Sequence, residues 1–264
     1  MTETRKEWLA RIKRPLARLQ NSRTDWYRIQ NKADETPKLY IYDEIGYFGD
    51  SAKSLVDQLK DVAGDELEVH LNSPGGDIFD GLAIYQALKD HPAKVTVRID
   101  GLAASIASVI AQAGDRIVIA PKASMMIHDG WTMAVGNAAD MRKTADVLDK
   151  QSQIIASVYA DRTGFTSDFW RERMSSDTWY DASEALEAHL VDEIEGQSPK
   201  VVEEAFDLSV YAHAGRGNAP APVLKPVAQA IEPPAPEPPV VEPEAQFAWD
   251  FASFKSALKE GMNG

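Results

Sequence analysis

The chain contains no cysteine among its 264 residues. That one absence excludes disulfides, thiolate metal sites and a cysteine nucleophile, and it fits a reducing, cytoplasmic setting. Long apolar runs are lacking as well. No stretch approaches the roughly 18 apolar residues that a membrane-spanning helix needs, so no membrane partner is expected. The first residues are polar and basic, which argues against a secretory leader. Histidine is scarce, at five residues, and no ligand spacing recurs. Neither a metal nor any other cofactor is therefore expected.

Basic charge is missing from most of the chain. Residues 1–32 hold nine Lys/Arg against three Asp/Glu, about +6, while the whole chain carries −13, so the remainder stands near −19. A body this acidic lacks the basic face that nucleic-acid binding requires.

What is present falls into four parts. Residues 1–25 read as a basic arm, a broken amphipathic helix with Trp8, Leu9, Ile12, Leu16 and Leu19 at helical spacing and Pro15 interrupting. Residues 26–200 alternate strand and helix patterns, which predicts an α/β domain. Strands are expected at 26–29, 39–42, 67–71, 95–99, 116–120 and 124–128. Helices are expected at 52–63, 79–89, 105–112, 138–163, 167–174 and 182–189. Residues 201–244 form a proline-rich linker, nine of the fifteen prolines lying between Pro220 and Pro243. Residues 245–264, with Phe247, Trp249, Phe251, Phe254 and Leu258, read as a short amphipathic helix suited to docking.

Two segments carry chemistry. In Asn72-Ser73-Pro74-Gly75-Gly76-Asp77 a glycine turn follows a strand and precedes a helix that Asp77 is placed to cap. Such a turn leaves backbone N–H groups uncovered. It lacks both the Lys-Ser/Thr of a P-loop and the third glycine of a dinucleotide fingerprint. In Gly101-Leu102-Ala103-Ala104-Ser105-Ile106-Ala107 a serine among small residues stands at a helix start. His128 then closes the apolar strand Met125-Met126-Ile127. Serine is a weak nucleophile that needs a base within hydrogen-bond reach, an orienter for that base, and donors where an oxyanion forms. Ser105, His128 and the glycine turn supply three of these parts. The other histidines fit less well: His70 alternates outward, His91 precedes a proline, His189 sits on a helix surface and His213 lies in the tail. Asp177, in Ser176-Asp177-Thr178-Trp179-Tyr180, reads unaided as a cap or turn aspartate.

Taken jointly, Asn72–Gly76, Gly101–Ser105, Met126–His128 and Asp177-Thr178-Trp179-Tyr180-Asp181-Ala182 resemble the proteolytic subunit of Clp protease, over roughly residues 26–196. Finer features resemble the Clp-related head maturation (prohead) proteases of tailed phages: Trp26–Ile29, Ile41–Gly46, Asp77–Gly81 and Val135–Met141. The resemblance implies a ClpP/crotonase-like spiral of β-β-α units with a long projecting handle helix, here 138–163. It implies Ser105 as nucleophile, His128 as general base and Asp177 as orienter. It also implies an oxyanion hole from the backbone N–H groups of Gly76 and Ile106, with substrate strand pairing along Gly75, Gly76 and Asp77. As partners it implies further copies in a ring-like homo-oligomer, and polypeptide substrates such as scaffold or capsid protein in an assembling procapsid. A Clp ATPase partner is not predicted, because the arm and tail depart from the housekeeping subunit. Two alternatives stand beside this reading: a general Clp-like peptidase working with an ATPase, and a catalytically idle assembly or scaffold protein. A crotonase-type acyl-CoA enzyme and a serine–lysine dyad are disfavoured by the pairing of Ser105 with His128.

Overall fold

In the computed structural model, residues 26–32, 35–46, 52–196 and 206–226 are described. They belong to a unit running to Pro226. The helices expected at 1–25 and 245–264 lie outside the described residues.

One eight-stranded sheet organises the unit. Its path runs β1 (Tyr27–Gln30), β2 (Lys38–Ile41), β3 (Glu66–Ser73), β4 (Lys94–Ala104), β5 (Arg116–Ile119), β8 (Glu193–Ile194). β6 (Ser124–Ile127) branches off β4 and pairs in turn with β7 (Thr178–Asp181). β1–β2 and β6–β7 are antiparallel and every other pairing is parallel. The intervening chain forms α1 (Ala52–Leu59), α2 (Ile78–Lys89), α3 (Ile106–Ala111), α4 (Ala138–Thr163), α5 (Ser167–Met174) and α6 (Ala182–Glu187). Parallel strands need covered crossovers, and these helices supply them.

Local chemistry explains the boundaries. Asp77 caps α2, its carboxylate accepting from the N–H groups of Phe79 and Asp80 at 2.9 and 3.0 Å. Asn137 and Asp140 form a capping box on α4, and Gly164 ends it with φ 77°. Each such cap is worth about 1 kcal/mol. Leu67, Val69 and Leu71 on β3 and Val95, Val97 and Ile99 on β4 are buried alternately with half-exposed neighbours, as a period-two strand requires.

β4 is longer than the expected 95–99, and its length builds the site. Its first half pairs with β5 and its last three residues pair with β6. Register against β3 slips between Leu71↔Ile99 and Ser73↔Ala103, so β4 carries two extra residues there. Gly101 sits in the slip, where a Cβ would meet Asn72 Oδ1 at 2.6 Å. This irregularity bends the end of β4 toward the glycine turn. Two strands escape the periodicity: β8 is only two residues long, and β7 buries the adjacent Trp179 and Tyr180 in place of an alternation.

Candidate active site

Ser105 occupies the sharp turn from β4 into α3. Its backbone has φ 54° and ψ −130°, a conformation that L-residues rarely adopt and that costs about 1–3 kcal/mol. The surroundings hold it there. Its N–H donates to Met126 O at 2.9 Å, and its carbonyl accepts from Ser108 Oγ at 2.5 Å. Ser108 Oγ lies 2.7 Å from the fully buried Tyr159 hydroxyl of α4. The turn thrusts the Ser105 side chain out of a layer of buried alanines and isoleucines.

His128 follows β6 immediately, and its Nε2 lies 2.7 Å from Ser105 Oγ. The imidazole is buried, which pushes its pKa below the ordinary histidine value; the charge of Asp177 opposes that shift. The ring is therefore neutral at physiological pH, the form that can take a proton from a serine hydroxyl. Asp177 lies in the turn before β7, also at positive φ (48°). Among the described residues no hydrogen bond joins it to His128. Instead its Oδ2 accepts from the N–H of Ala212 at 2.9 Å. Asp177 thus acts on the imidazole through space.

The glycine turn stands opposite. Ile45 N–H donates to Gly75 O at 2.8 Å, and Asp77 N–H donates to Ile45 O at 2.9 Å, a parallel bridge centred on Gly76. In that pattern the N–H and C=O of Gly76 itself point to the opposite edge. The glycines are required: a Cβ on Gly76 would lie 2.0 Å from Ile45 O, and one on Gly75 would lie 2.6 Å from Ser105 Cβ. Their φ values, 151° and 99°, also disfavour any L side chain. Ile106, the first residue of α3, has no intrahelical acceptor for its N–H.

Ser105, Ile106, His128, Gly76 and Asp77 line one cleft of about 180 Å³. The structure therefore brings together the serine, the histidine and both backbone donors, with Gly75 packed beneath Ser105. Asp77 divides its role, since its backbone borders the cleft while its carboxylate caps α2. The remaining histidines lie elsewhere. His70 stacks on Tyr40 with Nδ1 2.8 Å from Asp100; burial lowers its pKa, but hydrogen bonding to Asp100 and Glu68 outweighs this and the net shift is upward. His91 Nε2 faces Leu59 O at 3.3 Å, and His189 stacks on Phe165.

Sequence reasoning missed the segment 206–226, placed in the linker. Phe206, Leu208, Tyr211 and Ala219 pack on Leu102, Ala104, Met126 and Trp179. The signal was available: Phe206-Asp207-Leu208-Ser209-Val210 alternates like a half-buried strand before the prolines thicken.

A serine and a neutral histidine in hydrogen-bond contact, facing outward-pointing backbone N–H groups across a cleft, define a site equipped for acyl transfer. The family model for Clp protease matches residues 20–198, and the chain belongs to that family. The mixed α/β sheet agrees with the Clp fold. Among similar proteins is the ATP-dependent Clp protease proteolytic subunit of Bacteroides fragilis, 32% identical over 133 residues, which cover 50% of this chain and 64% of that protein. The subunit of the same name from Deinococcus radiodurans is 30% identical over 135 residues, 50% of this chain and 66% of that protein. The one from Chlorella vulgaris is 32% identical over 130 residues, 48% and 65%. The chain spans just under two thirds of the length of these relatives. Among the described residues no helix is long and apolar enough to cross a membrane, and no group of His, Cys, Asp and Glu could hold a metal ion.

Proposed function

We propose that this protein is a serine endopeptidase in which Ser105 is the nucleophile, His128 the general base and then acid, and Asp177 the orienter. The observation that carries the reading is the 2.7 Å contact between Ser105 Oγ and His128 Nε2 at the mouth of the cleft. Attack by Oγ on a scissile carbonyl forms the C–O bond as the hydroxyl proton passes to Nε2. The imidazolium then returns that proton to the leaving amine, and water repeats the sequence to free the enzyme. The tetrahedral oxygen would sit beside Ser105, within reach of the N–H groups of Ile106 and Gly76. Each such donor is worth about 2.7–4 kcal/mol of transition-state stabilisation. The free edge at Gly76 suits an extended substrate that adds as a strand, with Gly75 and Asp77 flanking the contact.

The finer role we propose is processing of scaffold and capsid polypeptides, and of the enzyme itself, during phage head maturation in the host cytoplasm. It rests on the resemblance carried by Trp26–Ile29, Ile41–Gly46, Asp77–Gly81 and Val135–Met141. A ring of identical subunits with inward-facing sites would restrict attack to extended chain. A second reading, a general peptidase fed by an ATPase, is favoured by the names of the relatives, which are subunits of ATP-dependent proteases.

One experiment tests both levels. The wild type and Ser105→Ala are each co-expressed with the scaffold and coat proteins of the cognate phage, then treated with a fluorophosphonate and weighed intact. A single adduct on the wild type only, with trimmed scaffold in that sample only, is expected. No adduct on folded wild type would overturn the serine-protease reading. An adduct without trimming would remove the maturation role and leave the peptidase.

A further inference from the structure

Residues 206–226 leave the linker and return across the site just described. We infer that this return segment is part of the catalytic apparatus, Tyr211 positioning His128 and the backbone N–H of Ala212 positioning Asp177. The inference rests on the serine-protease reading above and adds two residues to it that lie outside residues 20–198, the span matched by the family model.

Tyr211 meets His128 edge to face, with ring centroids 5.1 Å apart and planes at 66°. Its hydroxyl donates to Pro74 O at 2.5 Å. One side chain thus braces the imidazole against the turn that presents Gly76, tying the base to an oxyanion donor. The next residue holds the acid. Ala212 N–H donates to Asp177 Oδ2 at 2.9 Å and so fixes the carboxylate whose charge acts on the imidazole through space. A carboxylate so tethered cannot rotate freely, and an orienter must not.

The segment is anchored on both sides of these contacts. Arg216 donates from Nε and Nη2 to the two carboxylate oxygens of Glu184, each at 2.5 Å. Phe206 and Leu208 pack on the patch around Trp179. The fork is a rigid, two-point tie.

An inhibitory plug would also lie here, and the cleft decides against it. Ser105 borders an open cleft with the segment docked, and Val210 and Tyr211 form one wall of that cleft without filling it. The Ser105–His128 hydrogen bond is made in this docked state. Asp177, in the turn before β7, is the charge that acts on His128. Asp129 beside the histidine is paired with Arg171 of α5, Glu44 and Asp77 border the same cleft, and Arg216 on the return segment is paired with Glu184. His213 follows Ala212 in the chain. Packed edge to face on the ring, Tyr211 both braces the imidazole and keeps water from that side of it.

The test follows the rate of fluorophosphonate labelling of Ser105 against pH, on the full chain, for wild type, Tyr211→Phe, Tyr211→Ala and Ala212→Pro. Labelling of the wild type secures the parent reading independently of the variants. Tyr211→Ala is expected to slow labelling about tenfold and to move the acid limb upward toward the free-imidazole value near 6.5. Tyr211→Phe keeps the ring and should retain the wild-type limb. Ala212→Pro, which lacks the N–H, should slow labelling to a similar degree. If Tyr211→Ala does not fold, Tyr211→Leu replaces it under the same criteria. Wild-type rate and limb in the alanine or leucine variant would overturn the inference. Faster labelling would overturn it too, and would make the segment a cover.

Discussion

Ser105 and Asp177 are both non-glycine residues at positive φ, yet the protein secures them in opposite ways. Ser105 is clamped by the core. Ala103, Ala104, Ile106 and Ala107 around it are almost wholly buried, and its carbonyl is tied through Ser108 to Tyr159 on α4. Asp177 stands half-exposed in a turn, where aspartate tolerates positive φ better than most residues. Its carboxylate is held from a segment more than thirty residues later, by Ala212. On the proposed roles, a strained nucleophile needs rigid packing to persist, whereas an orienter needs only one well-placed donor, and the geometry divides into a stiff half and a supplied half.

The sharpest way to break the stiff half is Gly76→Ala. The added Cβ would collide with Ile45 O, so the turn must shift and carry its N–H away from Ser105. Peptide hydrolysis should fall about 10²–10³-fold, the usual cost of one lost oxyanion donor. Burial of His128 should be unaffected, so the acid limb of the pH profile should stay put. A limb that moves would show that the two halves are not separable.

Asp177→Asn probes the supplied half, and a smaller effect is expected. Where an aspartate is hydrogen-bonded to the base, the same change costs about 10⁴-fold. Here the carboxylate acts through space, and about 10–100-fold is expected. Because the carboxylate charge raises the pKa of His128, its removal lets burial act unopposed, and the acid limb should move to lower pH. A 10⁴-fold loss would mean that substrate closes the His128–Asp177 contact and that the halves become equally rigid in turnover.

The least effect on chemistry should come from Ser108→Ala, which cuts the tie behind Ser105. The buried Tyr159 hydroxyl loses its partner, a cost of about 1–3 kcal/mol. The thermal midpoint should drop by about 3–9 °C, with labelling changed less than about tenfold. An unchanged midpoint would show that the alanine packing alone carries the strain.

The same division explains what could be read from the chain. The stiff half is local: Gly75-Gly76, Ser105 and His128 each end or begin an element, so they can be picked out as candidates, though each alone also reads as a plain turn, a packing serine or an edge histidine. Their joint spacing carried the family resemblance. Asp177 was legible only through that resemblance, because a turn aspartate has no periodic frame. Tyr211 and Ala212 were hidden by context. Short apolar alternation at Phe206–Val210 is a faint signal beside the prolines that follow, and proline density reads as linker whatever stands next to it. β7 escaped because its two central residues, Trp179 and Tyr180, are both buried and show no alternation, although Trp179 is the floor on which the return segment rests.

One contact behind the cleft constrains how such an enzyme can change. At Gly81, in the first turns of α2, a Cβ would meet Ile106 Cγ1 at 2.1 Å. The helix that begins at the glycine turn therefore rests directly on the residue that carries the other donor. On the proposed roles, a shift of one donor presses on the element that carries the other, whereas the rim, where Phe79 is exposed and Val210 lines the cleft, lies outside that contact.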